Sequence, residues 1–212
     1  MASPRKFSAA AAVPTREAVF DAAATLFSAK GFDGISMDDI AGRAGVNKAM
    51  IYYHFADKLT LYRSVVGEML QHMTGTVTAI AAADGPAPGK LDRFIEAVVR
   101  MTETRPWFPA LMLREISEGA PHLDLETLQR LRTVVLTFAR ILEEGHAAGV
   151  FRKVHPILAY LSVVGPLIFN AARERVAAQP GRQGQDLPML VSIPHDDLIA
   201  HVQETARRML AP

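Results

Sequence analysis

Residues 36–55, SMDDIAGRAGVNKAMIYYHF, restrict the fold of this chain more than any other stretch. Ser36 has the side chain of a helix N-cap, and Asp39 three residues on completes a capping box, so a helix is predicted to begin at Met37. Ile40, Ala41 and Ala44 give it one narrow apolar side. Gly45 stops it, because glycine enters the left-handed conformation after a helix without a Cβ penalty. Val46 turns back toward the core and Asn47 caps a second helix from Lys48. Ile51 and Phe55, one turn apart, anchor that helix inward.

Lys48, Ala49, Met50, Tyr52, Tyr53 and His54 are left off the anchoring line. Folding alone does not require two phenols, a cation and an imidazole on so short a helix. A helix-turn-helix does, because its second helix enters the DNA major groove. The run IAGRAGVNKAMIYYHFADKLTLY resembles the N-terminal domain of the TetR-type transcriptional regulators. The likeness extends over about residues 15–62. It includes KGFDGIS at 30–36, Asp39-Ile40-Ala41, Gly45-Val46, Ile51-Tyr52, His54-Phe55 and Lys58; Leu59 stands where the family commonly has glutamate. By position, the resemblance implies that Lys48, Met50, Tyr53 and His54 face the groove, with Ala49 and Met50 tuning sequence preference. Thr15, Arg16, Ser36, Asn47, Tyr52 and Lys58 are the implied backbone contacts, which position without reading sequence. Lys58 also follows the cap Asp57, in a first turn where the helix dipole disfavours a cation and a DNA phosphate would reverse that balance.

Charge alone would not point to nucleic acid. The 212 residues carry a formal net charge of +1, so DNA must be met by a local patch. No cysteine is present, which excludes disulfides, zinc–thiolate sites and thiol redox sensing. The alanine run at 9–13 is too short for a secretory signal, and no 18-residue apolar stretch is free of charge and proline, so no membrane span and a cytoplasmic location are expected.

The remaining periodicity is helical and no strand pattern of useful length appears, so the expected fold is all-α with about nine helices. Residues 1–13 read as a disordered tail, 14–62 as a three-helix DNA-binding domain and 63–212 as a helical ligand-binding and dimerisation domain. Helix 1 opens at Pro14-Thr15 with Val19, Ala22, Ala23, Leu26 and Phe27 inward, and ends at Gly31. Helix 4 runs from Asp57 to about Ala83, and residues 84–89 break the chain. Their GPAPGKL run is not a phosphate loop: the glycines are too close, Leu91 replaces the magnesium-binding hydroxyl, and two prolines remove backbone donors. Helix 5 then carries Leu91, Phe94, Ile95, Val98, Val99 and Met101, and helix 6 covers 107–117. Helix 7, about 125–148, is expected to bury Leu128, Leu131, Val135, Phe138 and Leu142, with Arg130, Thr133, Thr137, Arg140 and Glu144 mostly wet. Helix 8, about 156–178, is apolar nearly all round and should kink at Gly165-Pro166. After a Gly/Pro/Gln-rich connection at 179–194, helix 9 should bury Leu198, Val202, Thr205, Ala206 and Met209 and expose Gln203, Glu204, Arg207 and Arg208.

Helix 8 offers more apolar surface than one subunit can cover, so helices 8 and 9 are expected to form a two-fold homodimer interface. The resemblance implies the same. Phe94, Val98, Met101, Trp107, Leu111, Met112, Phe138, Tyr160, Val164 and Phe169 are the expected lining of an apolar or aromatic effector site, with Arg114, Glu115, Tyr160 and Asn170 as orienting polar groups. The expected function is a dimeric repressor that holds a palindromic operator and leaves it when a lipophilic ligand binds; the alternatives are a ligand-independent architectural protein or an activator. No hydrolase, metalloprotease or acidic metal motif appears, and the seven histidines are scattered, so neither an enzyme nor a metal or cofactor site is expected.

Overall fold

The computed structural model describes residues 16–177 and 192–212. These residues form nine helices and no strand: α1 (Arg16–Lys30), α2 (Met37–Ala44), α3 (Lys48–His54), α4 (Lys58–Ala82), α5 (Ala87–Thr104), α6 (Phe108–Ser117), α7 (Leu125–Ala147), α8 (Pro156–Ala177) and α9 (His195–Leu210). The expected tail, Thr15 and nearly all of the connection before α9 lie outside the described residues.

Helices α1 to α3 form the head. Val19, Ala22, Ala23 and Phe27 of α1 are buried with Ile40, Ile51 and Phe55, while Leu26 is only partly so. Gly31 ends α1 with φ +79°, and Phe32 stacks back on Phe27 at 6.1 Å. Helix α4 leaves the head without a break and continues through the body, so the 62/63 boundary falls inside a continuous helix whose Leu61, Tyr62, Val65 and Val66 are all buried.

Helix α5 begins earlier than its sequence suggests. Pro86 precedes it and Pro88 occupies its first turn, where a missing N–H costs nothing because that donor has no helical partner. Lys90 is buried rather than poised for phosphate. Its ammonium donates to the Ala81 carbonyl at 3.2 Å and to both Glu144 oxygens at 2.7 and 2.9 Å. Helix α7 packs along α4, and this contact rotates its buried side from the expected line. Thr127, Val134, Thr137, Phe138, Ile141 and Leu142 are buried, whereas Leu128 is exposed. Of the residues expected to be wet, Thr137 is therefore inside. Arg130 reaches across to the Gly67 carbonyl at 2.9 Å, and Glu144 serves Lys90.

Helix α9 docks on α5, which corrects its expected orientation. Leu198, Ile199, Val202, Ala206 and Leu210 are buried and Thr205 is exposed. Of the residues expected outside, Arg207 is exposed and pairs with the Asp92 carboxylate of α5 at 2.7 Å, while Gln203 is half-buried and donates to the Asp92 carbonyl at 3.1 Å. Helix α8 runs unbroken through Pro166 and packs on α5, α6 and α7. By length and composition alone its Pro156–Glu174 stretch is apolar enough to cross a membrane, a test that a packed core helix also passes, and it carries Pro166 and Arg173. Here Ala159, Val163, Val164, Leu167 and Ala171 are buried in the body, while Ile157, Leu158, Leu161 and Phe169 remain exposed.

Candidate nucleic-acid interface and effector cavity

The head is built by its caps. The Ser36 hydroxyl accepts from the Asp39 N–H at 3.2 Å, and the Asp39 carboxylate accepts from the Ser36 N–H at 2.7 Å and from its hydroxyl at 2.6 Å. These bonds, the hydroxyl first, hold the Asp39 carboxyl below the usual aspartate range. Gly45 takes φ +69°, and the Asn47 side chain accepts from the Ala49 N–H at 2.9 Å to start α3. With Ile51 and Phe55 buried as anchors, Ala49, Tyr52, Tyr53 and His54 are exposed; Lys48 and Met50 are half-buried. Tyr53 is 83% exposed and touches only the neighbouring His54 ring, edge-on at 5.1 Å, among the described ring contacts.

Three basic residues implied as DNA contacts are held by the chain itself. The Lys48 ammonium pairs with Asp38 at 2.7 Å, which raises its pKa. The Arg16 guanidinium pairs with Glu68 and lies 5.6 Å from the Phe55 ring centroid. Lys58 is the most tightly engaged: its ammonium donates to the Phe32 and Ile35 carbonyls, both at 3.0 Å, and sits 4.2 Å from the Phe32 ring centroid. The dipole penalty inferred for Lys58 is thus offset within the protein, by carbonyls of the α1–α2 turn.

In the body, α4 to α8 line a cavity of about 440 Å³ that opens to the surface at an apolar rim. Its wall is Leu70 and Met73 of α4, Val98 and Met101 of α5, Phe108, Met112, Leu113 and Ile116 of α6, Leu131, Val134 and Val135 of α7, and Tyr160, Leu161, Val164, Gly165, Ile168 and Phe169 of α8. Six expected lining residues are present: Val98, Met101, Met112, Tyr160, Val164 and Phe169. Phe94, Leu111 and Phe138 are core instead, with Phe94 and Phe138 packed at 5.1 Å. Trp107 lines a separate cleft of mixed character with Phe20, Glu68, His72 and Arg105. Asn170 accepts from Arg173 and donates to Glu174 at 3.1 Å. Leu70 and Met73 of α4 were not expected in the wall, and on α7 Leu131, Val134 and Val135 line it in place of the expected Phe138, because packing against α4 rotates that helix.

The remaining two expected residues, Arg114 and Glu115, face the head. Arg114 lies so close over Gly31 that a Cβ there would be 2.6 Å from its Nη1. Glu115, 1% exposed, accepts from the Tyr62 hydroxyl at 2.5 Å and pairs with His122 Nδ1 at 2.8 Å. Burial, then the Glu115 bond, pushes the Tyr62 phenol pKa up, so Tyr62 stays a donor. The His122 ring rests on Phe32 at 4.2 Å, and Phe32 carries Lys58. One helix, α6, therefore forms cavity wall on one side and grips the base of the head on the other. The burial of Glu115 is readable from its place in the series Phe108, Leu111, Met112, Glu115; its partners, 53 positions back and seven ahead, are not.

A helix-turn-helix head on an all-helical body defines a class of DNA-binding transcriptional regulator. Residues 19–65 match the family described as bacterial regulatory proteins, tetR family, and residues 88–179 match the tetracyclin repressor-like C-terminal domain. The chain belongs to the TetR family. Over 51 residues it is 45% identical to the biofilm operon icaADBC HTH-type negative transcriptional regulator IcaR of Staphylococcus aureus, and 43% identical to that of Staphylococcus epidermidis. The match to the S. aureus protein covers 24% of this chain and 27% of that relative. The fold extends further. The KstR2 ketosteroid transcriptional regulator of Mycobacterium tuberculosis superposes with a TM-score of 0.76 at 16% identity, covering 97% of this chain and all of that one. A putative fatty acid metabolism regulator from Clostridium perfringens gives 0.74 at 19% identity, over 92% of this chain and 99% of that one.

Proposed function

We propose that this chain is a cytoplasmic homodimeric repressor that binds an inverted-repeat operator through α3 and is released when a small apolar effector fills the α4–α8 cavity. The observation that carries this reading is the double role of α6. Phe108, Met112 and Ile116 line the cavity, while Arg114 and Glu115 of the same helix hold the α1–α2 turn and α4. A ligand that moves α6 therefore acts on the head directly, as well as through α4, whose Leu70 and Met73 also line the cavity. Two recognition helices must match one turn of DNA, roughly 34–36 Å, so a small rotation of each head is enough to lose register. A ligand with about a hundredfold preference for the released state supplies about 2.7 kcal/mol toward that rotation.

Dimerisation supplies the second head. Ser162 and Pro166 of α8 and His201 and Thr205 of α9 are exposed beside one another, and Leu158 and Phe169 are exposed farther along α8, a surface suited to a four-helix contact between two copies. The head spans residues 14–62, with Lys48, Met50, Tyr53 and His54 reading the groove and Arg16, Thr15, Ser36, Asn47, Tyr52 and Lys58 fixing the backbone. Repression is the direction because the IcaR relatives, matched across the head, are named negative regulators.

Selection from random duplexes tests the operator claim. An inverted repeat should emerge, Tyr52→Phe should weaken all selected sites alike, and substitutions at Ala49 or Met50 should change the preferred sequence. No preference for inverted repeats at moderate ionic strength would end this reading. Sedimentation should give a dimer at micromolar concentration; a monomer would remove the two-headed grip.

A further inference from the structure

We propose that the α4–α8 cavity takes an uncharged, hydrocarbon-framed molecule of about fifteen non-hydrogen atoms, one hydrogen-bond acceptor of which meets the Tyr160 hydroxyl. This rests on the effector reading above and adds the chemistry of the ligand.

The size follows from 440 Å³ at about 30 Å³ for each water-sized group. The charge follows from the wall, in which no lining side chain is charged. The charged groups of α6 are turned away, Glu115 into Tyr62 and His122 and Arg114 over Gly31. The exposed rim, Leu113, Ile116, Leu161 and Phe169, is apolar as well. A carboxylate, phosphate or ammonium entering here would shed water and find no counter-charge. Met73, Met101 and Met112 give the wall three flexible thioethers that can adapt to an irregular ring system.

Orientation falls to Tyr160, the one lining side chain with a hydroxyl. Its ring is set edge-on to Phe138 at 5.6 Å, and its hydroxyl makes no hydrogen bond to any described residue. Burial pushes its pKa up to about 12, so it is a donor at every physiological pH. A donor that no described residue engages, set in an apolar wall, favours a ligand that offers an acceptor and disfavours its hydrocarbon isostere.

Two matched pairs of probes test this with the full-length protein. N-phenyl-1-naphthylamine and its sulfonate, 8-anilinonaphthalene-1-sulfonate, share one frame and differ by a charge. Fluorescence titration should show the neutral probe binding about tenfold or more tighter, and Val135→Phe, which fills the cavity, should weaken it. Fluorenone and fluorene differ by a carbonyl. As competitors, fluorenone should win by about tenfold in the wild type, and that preference should vanish in Tyr160→Phe, which keeps the ring on Phe138. Equal or tighter sulfonate binding, neutral binding indifferent to Val135→Phe, or a ketone preference that survives Tyr160→Phe would each overturn the proposal. A mobility shift on the same samples separates it from the effector reading. Neutral binding with no operator release would refute the effector role while the cavity chemistry stands; operator binding with no neutral ligand bound would do the reverse.

Discussion

Replacing Tyr62 by phenylalanine isolates the joint between body and head. The substitution removes one oxygen and leaves the ring edge-on to Phe27 at 4.8 Å and to Phe32 at 5.3 Å. What is lost is a 2.5 Å hydrogen bond to Glu115, a carboxylate 1% exposed to water. Hydrogen bonds to charged groups contribute about 1.5–3 kcal/mol, and no solvent can replace the donor at so enclosed a position. A loss of about 2 kcal/mol corresponds to a fall of about 4–8 °C in Tm for a protein of this size. Differential scanning calorimetry of Tyr62→Phe, Glu115→Gln and the double variant measures both the loss and its cause. The two single effects should be non-additive by about 1–2 kcal/mol, because both act on the same bond, the first removing its donor and the second the charge of its acceptor. A Tm change under about 1 °C in Tyr62→Phe, or strict additivity, would show that the Tyr62–Glu115 bond does not stabilise this joint, and the account of α6 as a grip on the head would fail.

Three further outcomes follow from the same contacts. Lys58→Met should lower Tm, because the Phe32 and Ile35 carbonyls lose their donor; if Lys58 also touches phosphate, the slope of log affinity against log salt should fall by about 0.9, and an unchanged slope would assign it to the frame alone. Gly145→Ala should destabilise by about 1–3 kcal/mol, since its Cβ would lie 2.0 Å from the buried Phe151 ring, whereas Gly75→Ala in α4, with open space around it, should stabilise by about 0.5–1 kcal/mol; paired urea melts compare them. The carboxyls of Asp39, Asp57 and Asp124 are held low mainly by hydrogen bonds from Ser36, Thr60 and Thr127. Their folded pKa values lie below the unfolded ones, so their stabilisation is complete above about pH 4 and is lost as pH falls through the folded values. Urea midpoints should drop across that acid range, and Asp57→Asn, which can still cap, should show a shallower acid loss.

The capping residues and the spacing of apolar side chains were enough to place all nine helices, because caps and turns act within a few residues of their own position. Ser36, Gly45, Asn47 and Asp57 each do what their local sequence implies. The exposed face of α3 was readable for the same reason, since two anchors on a seven-residue helix fix which side is left over. Pro86 and Pro88 misplaced one boundary, because proline both breaks a helix and begins one, and only the chain on either side decides.

Direction around a long helix was another matter. Helices α7 and α9 carry apolar residues over a wide arc, and whether Thr137 or Leu128 goes inside, or Gln203 or Thr205 outside, depended on how α4 and α5 lie against them. The cavity wall shifted accordingly, gaining α4 and losing Phe94, Leu111 and Phe138 to the core. The basic residues of the head were legible as cations, but their pairing with Asp38, Glu68 and two backbone carbonyls was not. Local sequence determines a helix and its ends through bonds spanning three or four residues. Which charge is free, and which side chain faces the cavity rather than the core, is settled by groups dozens of positions apart, and the packing of α4, α6 and α7 brings those together.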